Sequence, residues 1–455
     1  MKTSSAAVYV APFALFLVVY LLLARHGFMI DDYAWVVQSR VRSIADLAAL
    51  FTHTNGFYRP LVALTFTVNE WLFGHWAFGY GMTNVALALG CAAAIAALGR
   101  ALGLSKGAAI VFSSLWLLNL QGIRTAVLWV SGRSALVLVL CATMSALSVV
   151  RGRRVASFVW LAAALLSKEE ALLLPAVLLA WIFVLRRDDR EDTVSSSTWT
   201  AGSVAIAVVY LLARYGAHAM TFASAPPYYQ LGFVPHVVWR HAYLYADQIA
   251  TFSILVTLSA CLLFGAWPRV DRRTMTFAAL GALWVVGGYG LTLFVPARSD
   301  LYSCLPSVGV CLVAAVVCEE VWQRAAPRRR SLALTASLAA CVALSPVYYV
   351  RTLTRSHVIE FGSSAIADIS AAVAALPEGT TVVVFDDQRA RSNNRPNLED
   401  AFGSMLNEAY EMTTDRRLQF EIALPPDETS DPVTPAAMYL RLVDGRVRGS
   451  TIDGR

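Results

Sequence analysis

The chain has 455 residues, of which 57% are hydrophobic and only 15% are charged. Ordinary soluble proteins carry about a quarter charged residues, so the composition argues against a single water-soluble globule. The charge is also uneven: residues 351–455 hold 27 of the 68 charged side chains with a net charge of −5, and residues 1–350 hold 41 with a net charge of +11. The sequence therefore divides into an apolar part, 1–350, and a small, mildly acidic, water-soluble part, 351–455. The basic excess lies in short clusters between apolar runs, a pattern that fits a membrane topology signal better than a nucleic-acid surface. Seven cysteines occur, all in or beside apolar runs and none in a CxxC spacing, which argues against a disulfide framework or a structural zinc site.

A membrane-spanning helix needs about 20 mostly apolar residues. Candidate spans fall at 6–25, 79–99, 107–122, 132–150, 155–167, 171–185, 198–216, 248–267, 275–295, 304–323 and 331–350. The short fifth and sixth runs, separated by Ser167-Lys168-Glu169-Glu170, read as two helices because the loop charges then stay in register. With Lys2 inside, alternate loops carry Arg100 and Lys106; Arg151, Arg153 and Arg154; Arg186, Arg187 and Arg190; Arg269, Arg272 and Arg273; and Arg324, Arg328, Arg329 and Arg330. That places 16 of the 26 basic residues before residue 351 on one side, the cytoplasmic side by the positive-inside rule. The expected architecture is an α-helical polytopic protein of the inner membrane, with about 11 spans and a small extracytoplasmic α/β domain at 351–455. The first apolar run is long enough to favour a retained helix over a cleaved signal peptide.

Two outer loops are long. The first, about 26–78, contains an apolar periodicity from Tyr33 to Phe51 that predicts one amphipathic helix in the interface. The second, about 217–247, is rich in aromatics (Tyr228, Tyr229, Phe233, Trp239, Tyr243, Tyr245) suited to a membrane interface or to lining a sugar or lipid path. In the tail, helices are expected at 365–376 and 398–412, a strand at 380–385, and a hairpin over 439–448 around Asp444-Gly445. The acidic pairs Asp386-Asp387 and Glu399-Asp400 read as solvated element ends.

Charges at membrane depth are costly and are functional candidates by default. Asp31 and Asp32 follow the first span; one of them is suited to act as a general base on a hydroxyl, and a solvated helix cap is an equally good reading of the residues alone. A divalent metal beside this pair is compatible with the sequence, which does not require one. Tyr58-Arg59-Pro60-Leu61 offers a phosphate-binding arginine or a helix-start anchor. Arg133, in Trp129-Val-Ser-Gly-Arg133, binds phosphate or snorkels. Lys168 is one of three lysines against 34 arginines; beside Glu169 it holds a phosphate or forms an ion pair. Arg298 and Tyr302 lie in a late outer turn.

In this order the motifs resemble the GT-C fold membrane glycosyltransferases, and among them the protein O-mannosyltransferase group, including the transmembrane O-mannosyltransferases that carry tetratricopeptide repeats. The likeness runs over about 26–310. It implies inverting transfer of a sugar, with mannose as the family's sugar, from a polyprenyl-phosphate-linked donor to an acceptor hydroxyl of a protein or glycan on the outer side. Asp31 or Asp32 would be the base. Arg59, Arg133, Lys168 and Arg298 would hold the donor phosphate, with Tyr58, Glu169 and Tyr302 in support. No nucleotide loop is present, and none is needed with such a donor. The chain departs from the family where it has Gly81 and Ala88 in place of two histidines, and Leu120-Gln121 and Thr125 ahead of the Trp-x-Ser-Gly-Arg motif. Tetratricopeptide repeats are absent from the sequence. A polytopic transporter or lipid flippase with an intramembrane charged site is the main competing class, but paired, interrupted halves are not evident. A structural membrane subunit would leave the outer charge cluster without a purpose.

Overall fold

The computed structural model describes residues 3–54, 56–187, 194–221, 224–386, 396–423 and 438–450. Lys2, Arg190 and Asp387 lie outside these residues. Each of the predicted apolar runs forms a helix: α1 (Thr3–Leu17) continuing as a π-helix to Leu23, then, after α2 (Asp32–Gln38), α3 (Ile44–Thr52) and α4 (Pro60–Phe73) of the first outer loop, α5 (Ala77–Ala101) and α6 (Lys106–Leu117). These are followed by α7 (Ile123–Leu128), α8 (Arg133–Val150), α9 (Arg154–Leu165), α10 (Leu174–Arg186), α11 (Ser196–Gly216), α12 (Pro235–Phe264), α13 (Arg272–Tyr289), α14 (Cys304–Arg324) and α15 (Pro327–Ala372). Among the described residues, five helical segments, 77–101, 130–150, 196–216, 235–264 and 300–324, are long and apolar enough to cross a membrane; α6, α9 and the 9–23 segment are shorter apolar helices. The helix at 155–167 and that at 171–185 are indeed separate, divided by a 3-10 turn over Glu169–Leu173.

Helices α11 and α12 expose Val208, Leu211, Leu212, Leu255, Leu258 and Leu262, an apolar face that water would penalise and lipid would not. Helices α13 and α14 cross with their backbones in contact, since a Cβ at Gly281 or at Gly309 would run into the other residue's carbonyl oxygen. Small residues allow this approach where lipid supplies no hydrophobic drive. The crossing fixes the turn that carries Tyr302.

Three expected elements differ. The amphipathic stretch from Tyr33 to Phe51 is broken at 39–43 into α2 and α3. Ser43 caps α3 by accepting from the Asp46 N–H, and Asp46 accepts from Arg42 and Ser43, so a reciprocal cap starts a new helix there. The helix expected at 398–412 is likewise two, α16 (Leu398–Phe402) and α17 (Leu406–Thr414), divided at Gly403, whose φ is 55°. The helix expected at 365–376 is the end of the 46-residue α15, which runs without a break from the last apolar run into the tail.

The tail carries a four-stranded sheet in the order β2-β1-β3-β4: β1 (Thr381–Asp386) is parallel to β2 (Gln419–Ala423) and to β3 (Met438–Val443), and β3 is antiparallel to β4 (Arg446–Ser450). Central β1 is the continuous apolar run TVVVFD, as a strand flanked on both sides should be. The hairpin turns on Asp444 and Gly445 at φ 49° and 80°, the left-handed pair of a two-residue loop. Asp386 is not solvated: it is buried and accepts the Leu398 N–H at 2.8 Å. Glu399 and Asp400 are exposed, with Asp400 in the cap of α16. One hydrophobic core joins this sheet to the first outer loop, packing Phe28, Tyr33, Val36, Val62 and Phe66 with Ile369, Val384, Phe402 and Leu440.

Candidate active site

Asp31 and Asp32 lie where the chain leaves the first helix and enters α2. The two carboxylates have different surroundings. Asp32 is fully buried; its Oδ2 accepts the Met29 N–H at 3.0 Å, and its Oδ1 accepts the Ser131 N–H at 2.6 Å. Asp31 is half-buried, and its Oδ1 lies 2.7 Å from the Ser131 hydroxyl. That hydroxyl is also 2.5 Å from Asp32 Oδ1. It carries one proton and can donate to only one carboxylate, so the second contact is satisfied when the other carboxyl is protonated. Burial, followed by the charge of Asp31, raises Asp32 to about 7. Burial also raises Asp31, against the opposing pull of Ser131 and then Arg59. A protonated Asp32 donating to Ser131, which donates to Asp31, satisfies every contact and leaves the charge on Asp31.

The Trp129–Arg133 motif is built to present Ser131. Gly132 packs so closely on α7 that a Cβ would lie 2.9 Å from the Ala126 Cα and the Thr125 carbonyl oxygen. Asn84 of α5 donates to the carbonyls of Ala126, Trp129 and Val130 at 3.0–3.2 Å. Arg133 opens α8. It is buried, and its guanidinium donates to Asn84 Oδ1 (3.1 Å), Asn69 Oδ1 (2.6 Å) and the carbonyls of Val130, Thr65 and Tyr80, while lying 4.2 Å from the Phe66 ring centroid. Most of its donors are engaged within the protein, which favours a structural role for this arginine.

The other cations named from the sequence are partly neutralised. Arg59 donates through Nε and Nη2 to Glu169 Oε2 at 3.1 and 2.8 Å, and Arg214 of α11 reaches Glu169 Oε1 at 3.3 Å. Two cations therefore face one carboxylate. Glu169 is held below the usual carboxylate range: burial pushes it up, but Arg59 and then Arg214 outweigh it. Lys168 is buried and ion-paired with Glu170 at 2.5 Å, with Nζ 4.8 Å from the Tyr302 ring centroid. The pair is close, but Lys168 Nζ and the Glu170 oxygens are buried without a hydrogen bond of good geometry among the described residues, so Lys168 keeps donors that a phosphate could use. Tyr58 is buried, and its hydroxyl donates to the Phe51 carbonyl at 3.1 Å, tying α3 to the start of α4. Arg298 is exposed. Aromatic rings complete the surroundings: Phe57 lies under Arg59 at 4.2 Å and packs edge-on against Tyr229 at 5.2 Å.

Sequence reasoning did not name Ser131, Arg214 or Arg355 as site residues. Ser131 stood inside a quoted motif. Arg355, on α15, places Nη1 3.3 Å from Met29 Sδ and its guanidinium 6.0 Å from the Trp129 ring centroid. Its signal was hidden because residue 355 had been assigned to the soluble tail. The departure at Gly81 has a steric counterpart: the His26 ring occupies the space that a Cβ at Gly81 would need. Among the described residues, no group of three or more His, Cys, Asp or Glu gathers to hold a metal. Three of the four oxygens of the aspartate pair already contact Ser131 and Met29.

Comparison with solved structures places this arrangement on a known scaffold. ArnT from Cupriavidus metallidurans, in the apo state, matches with a TM-score of 0.56 at 14% identity over 92% of this chain and 86% of that one. The same protein bound to undecaprenyl phosphate matches with a TM-score of 0.55 at 13% identity, over 90% and 85%. The archaeal oligosaccharyltransferase AglB from Archaeoglobus fulgidus, in complex with an inhibitory peptide and a dolichol-phosphate, matches with a TM-score of 0.50 at 10% identity, over 91% of this chain and 64% of that one. The chain has the GT-C fold. No family model matches the sequence, and no curated protein matches it.

Proposed function

We propose that the protein is an integral membrane glycosyltransferase that moves a sugar from a polyprenyl-phosphate-linked donor to an acceptor hydroxyl, with inversion at the anomeric carbon. The observation that carries this reading is Asp31: a half-buried carboxylate on a GT-C scaffold, aimed by Ser131 and flanked by Arg59 and aromatic rings. Two of the solved structures of this fold hold undecaprenyl phosphate and a dolichol-phosphate, the lipid chemistry the donor requires. The motif resemblance supports mannose as the sugar and a protein or glycan as the acceptor. The basic-residue pattern supports eleven spans with the N-terminus inside and residues 351–455 outside.

In this mechanism Asp31 takes the proton of the acceptor hydroxyl as its oxygen attacks the anomeric carbon. The bond from that carbon to the phosphate oxygen breaks, and its electron pair leaves with the lipid phosphate. Asp32 touches neither substrate; it holds Ser131 and Met29. The leaving phosphate gains charge and needs cations. Arg59 with Arg214 outweighs Glu169 by one charge, and Arg298 is exposed. Arg355 adds a further cation. It stands at the turn of α15 whose Arg351 carbonyl accepts from Arg124, and it pairs with no carboxylate among the described residues. Arg124 Nε beside it is buried and without a hydrogen-bond partner among the described residues, while the Trp129 indole lies within reach of the Asp31 carboxylate. The phosphate is therefore assigned to Arg355, Arg124 and the free edge of Arg59, and the sugar to the neighbourhood of Asp31, beside Tyr229 and Trp129.

The test is to incubate the purified chain in lipid nanodiscs with polyprenyl-phosphate-hexoses and to identify the products by mass spectrometry and NMR. Release of polyprenyl phosphate together with an inverted glycoside or free sugar is expected. Movement of an intact substrate between leaflets, with no bond broken, would instead indicate a transporter.

A further inference from the structure

Ile30, the residue before Asp31, has a φ of 50°. A β-branched residue rarely adopts this left-handed conformation, so its surroundings must impose it. The restraint comes from the far end of the chain. The Ile30 N–H donates to the Ala401 carbonyl in α16 at 2.8 Å. Gly403, which ends α16 at a φ of 55°, leaves room for Ile30: a Cβ there would lie 3.2 Å from Ile30 Cγ2. Phe402 packs on the Tyr33 ring at 5.6 Å, and the Tyr33 hydroxyl donates to the Phe28 carbonyl at 3.1 Å. The Asp32 N–H closes the turn on the Met29 carbonyl at 3.0 Å. Residues 28–33 are thus gripped from one side by α16 and from the other by Ser131.

We propose that Ala401, Phe402 and Gly403 are positioning residues: they hold the Ile30 peptide in its left-handed conformation and so aim the Asp31 carboxylate, which makes the C-terminal domain a fixed part of the active site. The proposal rests on the reading of Asp31 as the general base. A tethered acceptor-binding domain would not need a hydrogen bond to the residue beside the base. It also would not need a helix end shaped around that residue's side chain. Neither contact touches a place where a substrate can lie, so the effect passes through the backbone of Ile30.

The experiment compares Phe402→Ala, Gly403→Ala and Phe402→Tyr in the full chain in nanodiscs, with a polyprenyl-phosphate-hexose as donor and the pH–rate profile recorded. Phe402→Ala and Gly403→Ala are expected to lower kcat by roughly 10- to 100-fold, as small misplacement of a catalytic group does, with the donor KM within about twofold. Their acid limb moves to lower pH, because water reaching Asp31 relieves the burial that raises it. Phe402→Tyr, which keeps the ring, restores both. If Phe402→Ala fails to fold, Phe402→Leu, which keeps most of the volume, takes its place. Wild-type kcat and an unmoved acid limb in both variants overturn the proposal, as does a loss confined to the donor KM. If the wild type transfers no sugar, or Asp31→Asn transfers it as well as the wild type, the base reading itself has failed, and this proposal falls with it.

Discussion

Replacing Ser131 with Ala removes the one hydroxyl that touches both aspartates while leaving its N–H on Asp32 in place. A hydrogen bond to a charged group contributes about 1.5–3 kcal/mol, and one pKa unit corresponds to about 1.4 kcal/mol. The hydroxyl favours the ionised form, so its loss raises the pKa of the pair by roughly 1–2 units. The base must be ionised to act, so the acid limb of the pH–rate profile shifts upward by that amount. At pH values below the limb the rate falls by about 10- to 100-fold, and it recovers toward the wild-type value as the pH is raised above the new limb. The assay is single-turnover release of polyprenyl phosphate in nanodiscs across a pH series. An acid limb that stays in place or moves down would refute the assignment of Ser131 as the donor that keeps Asp31 charged.

Two further substitutions separate structural from ligand-binding arginines. Arg133→Met leaves Asn69, Asn84 and the carbonyls of Thr65 and Tyr80 without their buried donor. It should destabilise the fold by about 1–3 kcal/mol for each buried acceptor left unpaired, seen as a lowered thermal midpoint in detergent, with polyprenyl phosphate binding per folded molecule unchanged; a stable variant that no longer binds would place Arg133 in the phosphate site. Arg355→Ala should leave the thermal midpoint close to wild type and weaken polyprenyl phosphate binding by roughly 10- to 100-fold, the equivalent of one charge-assisted hydrogen bond; equal affinities by titration would remove Arg355 from the site.

Much of the scaffold was legible because its signal is local. Each apolar run announced a helix, and Asp444-Gly445 announced its turn through the left-handed backbone that only a few residue types accept. The approach of Asp31 to the Trp129–Arg133 motif could be anticipated, because both lie at helix ends on one side of the same apolar scaffold. What local sequence did not reveal was which way each cation points. Arg133 begins a span and looks like a snorkelling or ligand-facing arginine, but Asn69 and Asn84 on neighbouring helices draw it inward. Lys168 beside Glu169 read as a phosphate ligand or an ion pair; the 3-10 turn presents it to Glu170, while Glu169 turns to Arg59 and Arg214. The docking of α16 on Ile30 joins residues at opposite ends of the chain and has no local signature. The same is true of Arg355, which sits just past the last apolar run on a helix that does not stop where the composition changes.

The central claim is that Asp31, and not Asp32, removes the acceptor proton. It is tested most directly by measuring sugar transfer from a polyprenyl-phosphate-hexose by Asp31→Asn and Asp32→Asn separately, with donor binding measured on the same samples. The account predicts that Asp31→Asn binds donor normally and loses about 100- to 10,000-fold in transfer rate, the contribution of a positioned base. It predicts that Asp32→Asn, which keeps an oxygen for the Ser131 or Met29 N–H, retains far more. Transfer by Asp31→Asn at the wild-type rate, or a larger loss in Asp32→Asn than in Asp31→Asn, would contradict it.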